Sequence, residues 1–210
     1  MRTGRDGEVR IDDGWGVCSV GEDTRLLATM AHETLGKSCV PCAALDLGTG
    51  TGYVGIYLAL RGWRVDAVDV SPRALALARR NAELSGVQMR LFESNLFSAV
   101  EGVYDVIAFN PPMRPAETEA TRAVTALLRR VGPAASLLMH TTHRLFGHRR
   151  SAFLSHVADT ARSHLATGGR LLLAITEFEQ IRLVQATSGL CLETFRPVRA
   201  IPHMTVSVYG

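Results

Sequence analysis

Apolar positions along the chain fall into short blocks, punctuated by glycine, proline and charged residues, and the period changes from block to block. From Asp23 to Gly36, "DTRLLATMAHETLG" sets Leu26, Leu27, Met30, Ala31 and Leu35 on one helical face, and Gly36 is a stop signal. "CAALDLG" is the pattern of a short buried strand, "GYVGIYLALRG" of a helix, and the alternating, β-branched "RVDAVDV" of a second strand. "SPRALALARRNAELSG" predicts a well-bounded helix, with Ser71 as N-cap, Pro72 at the first helical position and Gly86 closing it. "VQMRLF" and "YDVIAF" are strands, helices are expected around 117–130 and 150–166, and "RLLLAIT" is a further strand. "EFEQIRLVQATSG" predicts a short helix, and "CLETFRPVRAI" with "HMTVSVYG" a closing antiparallel hairpin. Strands alternating with helices predict a mainly parallel sheet covered on both faces. The expected architecture is one doubly wound α/β domain over residues 1–210, with its ligand at the carboxyl ends of the strands.

Composition adds little but excludes much. The 210 residues are 47% hydrophobic and 20% charged, which suits a globular protein with a substantial core. The polar opening "MRTGRDGEVRIDDGW" has no apolar stretch of the kind a signal peptide needs, and no run approaches membrane-spanning length. Four unevenly spaced cysteines read as reduced thiols, and the protein as cytoplasmic. A formal net charge of +3 is too small to argue for nucleic acid.

Chemistry concentrates after four strands. "LDLGTGTG" (Leu45 to Gly52) follows a strand and opens a helix, so Gly48, Gly50 and Gly52 permit a tight turn whose N–H groups approach an anionic ligand. Asp69, 21 residues after Gly48 at the tip of the next strand, can take two ribose hydroxyls. A dinucleotide fingerprint G-x-G-x-x-G needs glycine at position 53, where Tyr53 stands. The spacing is G-x-G-x-G, preceded by Asp46. This resembles the first motif of class I S-adenosylmethionine (SAM) methyltransferases, with Asp69 similar to their second. "SNLF" stands where that family contacts adenine, which assigns Asn95 to the cofactor. The resemblance implies a Rossmann-like, seven-stranded sheet ending in an antiparallel hairpin, with SAM as cofactor.

"FNPPM" (Phe109 to Met113) then resembles the "NPPY" motif of methyltransferases acting on amino groups of planar systems. Known targets in that group are adenine N6, guanine N2 and the glutamine amide of release factors. Such a nitrogen is a poor nucleophile because its lone pair is delocalised. The Asn110 side-chain oxygen and the Pro111 carbonyl can each accept one of its N–H bonds, aim the lone pair and stabilise developing positive charge. The prolines fix φ and hold Asn110 extended. Pro112 and Met113 fall on the substrate slot, and Met113 departs from the usual tyrosine or phenylalanine, which leaves room for a smaller or less planar acceptor. Upstream, "GVCSVGEDTRLL" (Gly16 to Leu27) resembles the "VYxPxEDTxLL" segment of small release-factor glutamine methyltransferases, which covers the cofactor and sets Thr24 near its methionine end. Asp23 or Thr24 can equally be a helix N-cap. Residues 1–22 are thus expected to form an extension and cofactor-covering segment.

The expected activity is SAM-dependent N-methyl transfer, with Asn110 and Pro111 catalytic and Thr24, Asp46, Gly48, Gly50, Gly52, Asp69 and Asn95 holding the cofactor. A protein glutamine amide leads as acceptor. A small molecule of specialised metabolism follows, then an RNA nucleobase, with a non-catalytic SAM-binding partner subunit as the alternative outside enzymology. No metal or membrane role is expected. "CVPC" (Cys39 to Cys42) has metal-ligand spacing but lacks a second pair, so it reads as structural. "HTTHRLFGHRR" (His140 to Arg150) is either an anion-recognition patch or a solvated basic surface. His203 reads as structural, and Glu177 and Glu179, after the fifth strand, could reach the expected cleft although nothing in the sequence fixes them there.

Overall fold

The buried blocks of the sequence become the inner strands of a seven-stranded sheet. The computed structural model describes residues 4–6, 9–13, 17–35, 42–112, 150–186, 189–201 and 203–210. The helix expected near 117–130, Met113, Cys39 and His140 to Arg149 lie outside the described residues. In chain order the elements are β1 (Gly4–Asp6), β2 (Val9–Ile11), α1 (Glu22–Glu33), β3 (Ala43–Leu47), α2 (Tyr53–Ala59), β4 (Arg64–Asp69), α3 (Pro72–Ser85), β5 (Arg90–Glu93) and β6 (Tyr104–Phe109). Then come α4 over 150–161, a 3₁₀ turn (Arg162–His164), β7 (Leu165–Thr176), α5 (Glu177–Ala186), β8 (Leu192–Pro197) and β9 (Met204–Tyr209).

The large sheet runs β5-β4-β3-β6-β7-β9-β8. Its first five strands pair in parallel, and β9 pairs antiparallel with both β7 and β8. Alternation along each inner strand builds two cores. Ala44, Val106, Ala108, Leu172, Ala174, Val206 and Val208 face α1 and α2, where Leu27, Met30 and Ile56 meet them. Leu45, Leu47, Ile107, Phe109, Leu171 and Leu173 face Leu154, Val157 and Ala158 of α4 and Leu183 of α5. Each such large side chain contributes about 1.5–3 kcal/mol by leaving water, which is why both faces must be covered.

Sequence signals hold where they are local. The Ser71 Oγ accepts from the Ala74 N–H at 3.4 Å, Pro72 opens α3, and Gly86 takes a left-handed φ of 69° beyond it. Two expectations are corrected. Neither Asp23 nor Thr24 caps α1: the N-cap is Gly21, and both side chains point elsewhere from within the first turn. The helix expected over 150–166 stops at 161, and "LATGG" becomes the start of β7 because Gly168, at φ 77°, and a register shift opposite Tyr104 let an irregular segment join the sheet. The opening segment also forms a hairpin, β1–β2, pinned to α3. There Asn81, fully buried, accepts from the Asp12 N–H at 2.8 Å and donates to the carbonyls of Asp12 and Thr51. Arg80 pairs with Asp12 at 2.9 Å.

No described helix is long and apolar enough to cross a membrane.

Candidate active site

Strand order reverses about β3: β4 and β5 lie on one side, β6 and β7 on the other. In open α/β sheets a cleft forms at the carboxyl ends beside such a reversal. The glycine loop leaves β3 there, Asp69 ends β4, the "SNLF" turn follows β5, and Asn110 follows β6.

The loop has the backbone that its glycines allow. Gly48, Gly50 and Gly52 have φ of 65°, 54° and 84°. Gly52 is doubly constrained, since a Cβ there would stand 3.0 Å from the Ala78 Cβ and 3.1 Å from its Cα on α3. The Thr49 N–H donates to the Val68 carbonyl at 2.8 Å, tying the loop to β4. Val17 lies alongside Gly50, so the segment before α1 runs beside the loop.

Asp46 sits beneath the loop. Its Oδ2 accepts from the Thr49 hydroxyl at 2.6 Å and the Gly55 N–H at 2.9 Å, and the residue is only 3% exposed. Burial pushes its carboxyl up from the ordinary 3.8 to about 6; those two hydrogen bonds oppose the rise and the charge of Asp69 adds to it. Asp46 therefore organises the loop from behind. Asp69 is turned outward to the loop. One oxygen accepts from the Gly50 N–H at 3.0 Å, the other from the Ser71 N–H at 2.9 Å. Each oxygen keeps a lone pair for a further donor. Beside it Val70 exposes an apolar side chain, 64% accessible, which the sequence reading did not single out.

The turn after β5 is held by Ser94, whose buried hydroxyl donates to the Leu96 carbonyl at 2.6 Å and accepts from the Ala99 N–H at 3.1 Å. Leu96 takes a left-handed φ of 53°, a costly conformation for a branched side chain. The result is an exposed Asn95 whose N–H is fixed by the Ser98 hydroxyl at 3.2 Å.

Asn110 is half-buried and Pro111 buried. The Asn110 Nδ2 donates to Asp23 Oδ2 at 2.7 Å and to Thr24 Oγ1 at 2.9 Å. Thr24 thus reaches the Asn110 side of the cleft. The next residue of interest, Pro112, is exposed, and its carbonyl accepts from the Arg150 guanidinium, which also pairs with Glu179. Glu179, buried, takes the Thr176 N–H at 2.9 Å with its other oxygen. Arg150 and Glu179 were legible only as members of a basic cluster and an acidic helix start. Their joint hold on the "NPP" carbonyl had no sequence signal, because it links segments 38 and 29 residues apart. Pro111, Asn110, Asp69, Asn95 and the three glycines lie at the carboxyl ends of adjacent strands, with Asp46 set behind the loop. His203 stands apart, exposed in the β8–β9 turn at a left-handed φ of 61°. Cys42 is buried in the core around α1 and α2. Among the described residues no three His, Cys, Asp or Glu side chains gather as a metal set.

The chain is similar to known proteins over this same region. It is 36% identical over 162 residues to the release factor glutamine methyltransferase of Chlorobaculum tepidum, covering 71% of this chain and 52% of that protein. It is also 36% identical over 120 residues to the ribosomal RNA small subunit methyltransferase C of Alcanivorax borkumensis, covering 56% of this chain and 34% of the relative. The chain therefore spans between a third and about half the length of these curated relatives. Among solved structures, the ribosomal protein L11 methylase of Lactobacillus delbrueckii subsp. bulgaricus superimposes with a TM-score of 0.65 at 18% identity, over 90% of this chain and 79% of that one, a likeness of fold. Residues 18–141 match the family model described as the methyltransferase small domain, and with the glycine loop, Asp69 and "NPP" all inside that span, the chain belongs to that family.

Proposed function

We propose that residues 1–210 act as a single SAM-dependent N-methyltransferase domain in the cytoplasm, moving a methyl group to a planar amide or amino nitrogen, foremost a protein glutamine amide. The observation that carries this reading is the orientation of Asn110. Its NH₂ is engaged by Asp23 and Thr24, so its carbonyl oxygen is the hydrogen-bonding atom left for a substrate N–H.

The residues fit the cofactor. The turned glycine loop offers N–H groups and close backbone approach, Asp69 keeps two lone pairs for ribose hydroxyls, Val70 offers an apolar wall for a flat ring, and Asn95 presents a carboxamide for an exocyclic amine. When bound, SAM supplies a methyl group made electrophilic by its positive sulfur. The chain's own part is positioning. Asn110 Oδ1 and the Pro111 carbonyl accept the two N–H bonds of the acceptor, turning its lone pair toward the methyl group. The positive charge that the acceptor nitrogen would gain on taking the methyl group would be stabilised by these two oxygens. The proton leaves afterwards to water, so no basic side chain is required. Arg150 holds the Pro112 carbonyl from outside, which fixes the proline pair's direction.

The similarity to release factor glutamine methyltransferases over most of this chain supports the protein amide as acceptor. The similarity to an rRNA methyltransferase keeps a nucleobase as the competing class. The test is methyl transfer from labelled SAM to a purified bacterial release factor and, separately, to ribosomal RNA. Label on a glutamine, with Asn110→Ala lowering turnover about 100-fold or more while SAM affinity stays within about twofold, is the expected result. Undiminished turnover in Asn110→Ala would remove the mechanism. Label on RNA that falls steeply with added salt would replace the acceptor class.

A further inference from the structure

An asparagine amide can present either an acceptor or two donors, and a site that must accept N–H bonds works only with the oxygen turned out. In this chain α1 makes that choice. The Asn110 Nδ2 bonds Asp23 Oδ2 at 2.7 Å and Thr24 Oγ1 at 2.9 Å, so both amide hydrogens are engaged. An ionised carboxylate only accepts. Flipping the amide would bring Asn110 Oδ1 against Asp23 Oδ2, two acceptors in contact. Thr24 alone would tolerate either orientation, since a hydroxyl donates or accepts. Asp23 is the residue that discriminates.

Two further observations single out Asp23. It is buried, 9% exposed, although it is an acid in the first turn of a helix and does not cap that helix. Gly21, just before it, has φ −87° and ψ 178°, a conformation open to any residue. Yet a Cβ on Gly21 would collide with Asp23 Oδ1. Glycine there makes room for the carboxylate rather than serving the backbone.

The first turn of α1 is itself anchored. Glu22 accepts from the N–H groups of Arg199 and Ala200 at 3.1 and 2.8 Å, in the turn between β8 and β9. Successive residues of "EDT" therefore grip two different parts of the fold, Glu22 the β8–β9 turn, Asp23 and Thr24 the end of β6.

We propose that Asp23 is the positioning residue of the acceptor site: its carboxylate, seated by Gly21 and joined by Thr24, locks the Asn110 amide with its oxygen outward and polarises it into a stronger acceptor. This rests on the reading of Asn110 as the group that receives the acceptor nitrogen. A carboxylate pulling on the amide hydrogens shifts electron density toward Oδ1, and linked hydrogen bonds strengthen one another in a partly buried site. The bond from Oδ1 to the acceptor gains most as that nitrogen turns positive, so the effect falls on turnover rather than on SAM binding.

The test uses the full chain without any acceptor first. The side-chain amide signals of Asn110 are identified in ¹⁵N-labelled protein as the pair missing from Asn110→Ala. In the wild type these two protons should be well separated and shifted from free asparagine. In Asp23→Ala, and in Gly21→Ala where Asp23 and Asn110 are both retained, they should move toward free-asparagine positions. Calorimetric SAM affinity should stay within about twofold. Methyl transfer is then measured on whichever acceptor the wild type labels. Asp23→Ala is expected to lower kcat about 100-fold, and Asp23→Asn, which keeps a bond but not the charge, about tenfold. In an Asn110→Ala background Asp23→Ala should cost nothing further. Unmoved Asn110 signals in Gly21→Ala and Asp23→Ala overturn the proposal. So does an equal loss from Asp23→Ala with and without Asn110. Full turnover in Asn110→Ala alone overturns the reading beneath it, and is told apart because the NMR shifts would still respond to Asp23.

Discussion

Asp46 should make this fold lose stability as the pH rises. Its carboxyl is buried beneath the glycine loop and pushed from the ordinary 3.8 to about 6. Below about pH 4 the group is protonated in both the folded and the unfolded chain, and its burial costs little. Between about 4 and 6 the unfolded chain releases the proton while the folded chain keeps it. The folded state then binds more protons, so stability falls with rising pH. Above about pH 6 both forms are ionised and the loss is constant. At about 1.4 kcal/mol for each tenfold change in proton affinity, the full loss is about 3 kcal/mol. The perturbation is Asp46→Asn, which keeps an oxygen for Thr49 and Gly55 but cannot ionise. Urea unfolding of both proteins, followed by circular dichroism across this range, gives the difference in stability at each pH. Other titrating groups cancel in that difference. Relative to Asp46→Asn, the wild type should weaken by about 3 kcal/mol from pH 3.5 to pH 7. A difference that stays level, or that runs the other way, would refute the argument that desolvation outweighs the two hydrogen bonds.

Other predictions follow from single contacts. Gly52→Ala should destabilise by about 2–4 kcal/mol, from the left-handed φ plus the close approach of Ala78, whereas Gly86→Ala, with φ 69° and open space around it, should cost only about 1 kcal/mol by the same urea assay. If Asp69 holds the ribose as proposed, Asp69→Ala should weaken SAM binding at least about tenfold by calorimetry, since it also removes the charged acceptor of the Gly50 N–H in the loop. Arg150→Ala should lower turnover about tenfold while SAM affinity is kept, because the Pro112 carbonyl loses its outside hold and Glu179 its partner.

What could be read in advance was local. The G-x-G-x-G spacing after "CAALDL" gave the loop, because turn geometry demands glycine whatever surrounds it. Ser71, Pro72 and Gly86 bounded α3 for the same reason. The apolar run "YDVIAF" marked β6, a strand buried at all but one of its positions. The misses share a cause. The β1–β2 hairpin has strands of three residues and relies on Asn81 and Ser85 of α3 rather than on its own pattern. "LATGG" looks like a helix end followed by a turn, and becomes strand only because β6 stands beside it. Asp23 looked like a cap, since acids at helix starts usually are, and nothing in the sequence says that a residue 87 positions later would claim it. The "EDT" motif singled out Glu22, Asp23 and Thr24 without giving their partners.

The grip of Glu22 on the amides of Arg199 and Ala200 joins positions 177 and 178 residues apart, and this sets an order of assembly during synthesis. The glycine loop, Asp69 and the end of β6 are all made by residue 112. The turn that anchors the first residue of α1 emerges nearly 90 residues afterwards, roughly 4 to 18 seconds at ribosomal speeds of about 5–20 residues per second. Closing so long a loop also carries an entropy cost that grows with its length. The nascent chain thus has an interval in which the half of its cleft made from neighbouring segments can form while α1 still lacks its fastening. Ribosome-bound chains arrested before and after the β8–β9 turn would differ in the firmness of α1, and in little else about the loop.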